Sequence, residues 1–190
     1  MGLKRLPRRT LERLVWTHLA PREDAEALLR YKRFRAARRR GYLTRGEFVE
    51  ACRWKSPRPI HHVRSNTHHR VRAATEAVLA TRDEAERLAA LRKLEGVSVP
   101  MASAILTLLD PKRYGVIDIR VWQLLHSVGA VSENAKGVRF TVSQWLQFLG
   151  ILRRLSSRLG TTARTVELTL FNVHTDRQEG RLYDTRVPRR

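Results

Sequence analysis

Three short stretches carry residue types that can do chemistry. In "YGVIDIRVWQLL" an acid, Asp118, stands between Val116-Ile117 and Ile119. In "LEGVSVPMASAIL" the turn Glu95-Gly96-Val97-Ser98 separates two apolar runs. A turn of this kind leaves the first N–H groups of the second run free to hold an anion, such as a DNA phosphate, without reading sequence. In "EFVEACRWKSPR" Trp54 can stack on a base or act as a wedge, and Lys55 or Arg58 can hold a phosphate. The plain reading of Trp54 is a core residue at a helix end. That of Asp118 is an N-cap, kept ionised by the helix dipole.

Other candidates carry less. His61-His62 and His68-His69 flank Arg64 and Asn66 in a basic segment and read as loop histidines; a zinc site needs a tighter ligand set, often with Cys. Cys52, the single cysteine, reads as a small buried residue and excludes an internal disulfide framework and a four-cysteine iron–sulfur cluster. Trp122, Trp145, Phe148 and Phe171 fall at helical core spacings and read as packing. No cofactor or metal is expected.

Helices must position these residues. Capping-box patterns open at Thr44 with Glu47, at Thr81 with Glu84 and at Thr141 with Gln144. Leu146, Leu149, Leu152 and Leu155 follow the last at three- and four-residue spacing. Further helices are expected over 10–19, 22–38, 67–80, 100–109, 119–128 and 165–174, with loops at Pro57 to Pro59 and at Gly129 to Gly137. Leu88, Leu91 and Leu94 share one face, and Pro100 suits the first turn of the helix carrying Ala102, Ile105, Leu106 and Leu109. Small Ala102 lets these two helices cross closely. The expectation is an all-α protein: one domain over 1–175, a helical hairpin over about 83–109, and a polar basic tail over 176–190 that frays.

Charge narrows the partner. The 190 residues carry a formal net charge of +20, and residues 1–75 hold 20 of the 38 basic residues against six acids. Genomic bias can put Arg in place of Lys, but it does not explain the excess over Asp and Glu. Such a chain attracts polyanions, nucleic acid first. The segment "YKRFRAARRRGY" is densest and nominates Arg38, Arg39 and Arg40 for phosphate contact, with Gly41 as the helix stop. No apolar run approaches a membrane span, and the basic N-terminus lacks a signal peptide's apolar stretch, so a cytoplasmic location is expected.

Residues 88–125 resemble the helix-hairpin-helix DNA glycosylase superfamily, which includes endonuclease III and the adenine-mismatch and 8-oxoguanine glycosylases. Leu94, Gly96, Val97, Ala102 and Asp118 carry the resemblance, and "EFVEACRWKSPR" extends it weakly. It implies a glycosylase-like fold of two small helical lobes around the hairpin, with Lys55 at the mouth of the cleft between them. A monomer would flip a damaged or mismatched base out of duplex DNA, in the nucleoid if bacterial. By position Asp118 inherits the family's carboxylate, which stabilises the cation-like sugar and orients water. Gly96 and Ser98 would hold phosphate. Pro100 stands where bifunctional members carry a lysine, which implies a monofunctional hydrolase, although Lys55 offers another amine. Ser98 replaces the turn's second glycine. Two functions stay open: an Asp118-dependent monofunctional glycosylase, and a non-catalytic DNA-binding protein on a degenerate scaffold.

Overall fold

The structure is a computed structural model and describes residues 10–21 and 23–178. Among them the chain forms ten α-helices and no strand. They are α1 (Thr10–Thr17), α2 (Ala25–Arg40), α3 (Arg45–Lys55), α4 (Ile60–Arg64), α5 (His68–Ala80), α6 (Glu84–Arg92), α7 (Val99–Leu109), α8 (Ile119–Ser127), α9 (Val142–Arg158) and α10 (Ala163–Arg177). The all-α class is as the sequence indicates. Most of the expected tail lies outside the described residues.

The helix ends follow local chemistry. Thr44 with Glu47 and Thr141 with Gln144 both close reciprocal capping boxes. The third box does not form. Asp83 caps α6 by accepting from the Glu86 N–H, while Thr81 ends α5 and its hydroxyl donates to Glu86. A carboxylate two residues on displaced the threonine as cap. The stretch after Pro59 is also helical, as α4, so His61 and His62 lie on a helix, and His68 and His69 open α5. All four are exposed helical residues rather than loop histidines.

Helix α7 is the centre. Ten of its eleven residues are buried, Pro100 excepted, and it packs against α2, α3 and α6. A helix apolar on every side has nowhere to go but the interior. Helix α10 packs on α8 and α9 and touches α1, and α6 also meets α9. The buried apolar side chains form one cluster from Leu11 to Val173, with Trp122, Trp145 and Phe148 fully enclosed. Phe171 is only partly buried, and Leu146 is 38% exposed, so these two depart from the expected core.

The hairpin is α6, the turn, and α7. Gly96 has φ 78, and a Cβ there would lie 2.9 Å from Val63 Cγ2 and 3.0 Å from the Val63 nitrogen. The turn therefore seats directly on α4. Buried Asn66 fastens it: its Nδ2 donates to the carbonyls of Glu95 and Val63, and its Oδ1 accepts from the Glu95 N–H at 2.9 Å.

Candidate functional site

Asp118 is held by the hairpin. The Ile117 N–H donates to Ser103 Oγ at 3.0 Å, and that hydroxyl donates to the Pro100 carbonyl at 2.8 Å. The first turns of α7 thus grip the extended segment that ends in Asp118. Gly115 starts this segment because α10 passes so close. A Cβ there would fall 2.7 Å from Glu167 Cβ and 2.6 Å from Leu152 Cδ1.

Asp118 is the N-cap of α8, as its sequence position indicates. Its Oδ1 accepts from the Arg120 N–H at 3.0 Å, and its carbonyl accepts the first helical bond, from Trp122. The other oxygen, Oδ2, accepts from Lys55 Nζ at 2.8 Å. Both side chains are about one-fifth exposed, at 20% for Lys55 and 18% for Asp118. Burial pushes the Asp118 carboxyl upward, but the Lys55 ammonium and the Arg120 N–H outweigh it. The group lies below its ordinary value and is ionised at neutral pH. Lys55 can reach it because α3 stops there: Ser56 turns extended, and Pro57 and Pro59 follow.

The Lys55–Asp118 pair lines two cavities. On the α10 side lies a space of about 220 Å³, walled by Trp54, Phe171, Leu168 and Val116 and floored by Arg164 and Glu167. An apolar cavity of roughly 150 Å³ admits benzene, so this space suits a single heterocycle. On the hairpin side lies one of about 580 Å³, bounded by Ser56 to Arg58, by Pro100 and by Gly137 to Phe140. Gly137 sits against the Ile119 carbonyl, which folds this last loop over the start of α8.

Glu167, Arg164 and Phe171 are the site residues that sequence reasoning missed. Glu167 is 2% exposed and pairs with Arg164 Nη1. Arg164 Nε also holds Glu23 at 2.7 Å, and its guanidinium lies 5.5 Å from the centre of the Trp54 ring. Burial raises the Glu167 carboxyl above the glutamate range despite Arg164. One cavity therefore holds two carboxyl groups driven in opposite directions. The available signal was the same as for Asp118: an acid inside an apolar helical run, "TVELTLF".

The expected phosphate contacts divide. Ser98 is exposed and its hydroxyl oxygen caps the Met101 N–H, so the hydroxyl proton remains available to donate. The Gly96 and Ser98 N–H groups have no partner among the described residues. Arg58 is exposed on the hairpin-side cavity. Two of the arginines nominated on α2 are engaged elsewhere, Arg38 with Asp110 at 2.6 Å and Arg40 with Glu47. Three cations on α2, Lys32, Arg35 and Arg39, are exposed and unpaired among the described residues. They recur at three- and four-residue spacing and so form one stripe.

Cys52 is fully buried, and burial pushes its thiol up to about 12, so it is no nucleophile. Among the described residues no group of three or more His, Cys, Asp or Glu side chains is placed to hold a metal ion, and no helix is long and apolar enough to cross a membrane. Compared with family models, curated proteins and solved structures, the chain matches none.

Proposed function

We propose that the chain binds duplex DNA as a monomer in the cytoplasm or nucleoid and cleaves the N-glycosidic bond of a flipped base, on a fold of the helix-hairpin-helix glycosylase kind. One observation carries this reading: an ionised carboxylate, Asp118, borders a cavity of heterocycle size walled by Trp54 and Phe171. A base turned into that space stacks on the aromatic walls, which is worth about 1–3 kcal/mol per base. Its sugar then lies at the Asp118 rim. As the bond to the base breaks, positive charge grows on the sugar, and a fixed carboxylate in a partly dry site stabilises it. Water completes the hydrolysis. Gly96, Ser98 and Arg58 hold the backbone, and the α2 stripe adds contacts that do not read sequence.

The test is excision. Duplexes bearing uracil, 8-oxoguanine mispairs or alkylated bases are incubated with the protein, and hot alkali reveals abasic sites. Strand breaks that vanish in Asp118→Asn support the reading. In parallel, charge reversal at Lys32, Arg35 and Arg39 should lower affinity and flatten its dependence on log salt by about three units. Reversal at Arg38 and Arg40 alone should disturb the fold more than the salt slope, since both hold acids of this chain.

A second reading, DNA binding without catalysis, is favoured by the Lys55–Asp118 contact itself, because an ammonium already neutralises the carboxylate. No excision on any duplex, with affinity unchanged in Asp118→Asn, would select it.

A further inference from the structure

Of the six large apolar side chains that stay exposed among the described residues, four fall between positions 16 and 29: Trp16, Leu19, Leu28 and Leu29, each 42% to 66% exposed. Trp16 ends the turn of α1 whose Leu11, Leu14 and Val15 are buried, Leu19 lies just past that helix, and the two leucines open α2. The corner between the helices is pinned to α10. The Ala20 N–H donates to Thr169 Oγ1 at 2.9 Å, and Glu23 accepts from Arg164 Nε at 2.7 Å. Asp24 then caps α2. The four side chains are thus held outward on a fixed frame, and a cluster of exposed apolar residues marks an interaction surface. Leu28 also heads the α2 stripe, because Lys32, Arg35 and Arg39 follow it at four-, three- and four-residue spacing.

We propose that the corner and the stripe together dock an acidic segment of another protein, apolar at one end and carboxylate-rich along the rest. Its apolar end covers Trp16, Leu19, Leu28 and Leu29, and its carboxylates meet Lys32, Arg35 and Arg39. From Leu28 to Arg39 the helix rises roughly 16 Å, which an extended chain spans in about five residues. Charge selects this occupant. A second copy would bring the same unpaired cations face to face on a chain of net charge +20. A phosphate backbone offers the corner no apolar contact. A lipid surface takes a single apolar helix face, whereas Leu28 and Leu29 stand about 100° apart around α2 and the other two lie at the end of α1. The partner competes with DNA for the stripe; this competition rests on the DNA-binding reading above, and the docking does not.

The test is fluorescence anisotropy with the full chain and labelled peptides of about eight residues, long enough to span the surface. One has leucines at one end followed by aspartates and glutamates; its control has asparagine and glutamine for the acids. The acidic peptide alone should bind, less tightly as salt rises. Leu28→Ser with Leu29→Ser, and separately Trp16→Ser, should each weaken it about 10-fold. Melting should be unchanged, as these side chains are exposed, and affinity for duplex DNA should stay within a few-fold. Charge reversal at Lys32, Arg35 and Arg39 should weaken peptide and DNA alike, and the peptide should displace DNA from the wild type. Binding of neither peptide, equal binding of both, or full affinity in either apolar variant would overturn the docking. So would self-association in sedimentation, or binding to vesicles of equal phosphatidylcholine and phosphatidylglycerol, that the leucine variant abolishes; these assign the corner to a second copy or to lipid. Peptide and DNA bound together would overturn the competition. Peptide bound by a chain that binds no DNA supports the docking and overturns the DNA-binding reading instead.

Discussion

The α10-side cavity holds two ion pairs, and they differ in what each can do. At the rim, Lys55 and Asp118 come from the end of one helix and the start of another, and each side chain keeps about one-fifth of its surface in solvent. At the floor, Arg164 and Glu167 sit one turn apart on α10, with Glu23 as a third member, and Glu167 is shut away. The rim carboxyl lies below its ordinary value because a cation wins over burial. The floor carboxyl lies above it because burial wins over a cation. Contact with a cation does not settle a carboxyl's state; the depth at which the pair sits does. The rim pair keeps contact with solvent, and the floor pair is nearly closed off from it.

The largest effect should come from breaking the floor. Arg164→Met leaves Glu167 and Glu23 without their cation and should destabilise the fold by about 3–5 kcal/mol. Thermal unfolding would show this as a fall of roughly 10 °C for a chain of this size. A melt within a degree or two of wild type would place the two pairs on the same footing. Breaking the rim should act on activity instead. Asp118→Asn keeps a capping side chain, so it should shift stability by less than about 1 kcal/mol. Excision should drop at least about 100-fold, the scale of one lost charge-stabilising contact. Activity that survives would reduce Asp118 to a cap.

Acid titration separates the pairs more finely. Asp118 is depressed when folded, so its contribution is present above the usual aspartate value near 3.8 and is lost as pH falls through the folded one. Glu167 is raised when folded, so the folded state binds more protons and stability declines as pH climbs above about 4.5. Glu167→Gln should remove that decline and flatten the melting profile on the alkaline side of 4.5. The substitution itself should cost about 1 kcal/mol, since the amide can still accept from Arg164. An unchanged slope would assign the decline to another group.

Much of this was legible in the chain. The three- and four-residue periodicity, two of the three capping boxes, Asp118 as a cap, and the cores around Trp122, Trp145 and Phe148 follow from local rules. These depend on neighbours a few residues away, which a sequence displays directly. The shared face of Leu88, Leu91 and Leu94, the turn at Glu95 to Ser98, and Pro100 at the start of the next apolar run likewise marked the hairpin. Tertiary structure alone decided which charges meet. Lys55 and Asp118 are 63 residues apart, Arg38 and Asp110 are 72, and Arg164 and Glu23 are 141. Such pairs exist only because α7 is apolar on every side and draws α2, α3 and α6 around it, while α10 lies against α8 and brings Glu167 under the Asp118 rim. Composition sets the net charge, but packing decides which cations pair with acids of the same chain, as Arg38 and Arg40 do, and which, as at Lys32, Arg35 and Arg39, stay exposed and unpaired among the described residues.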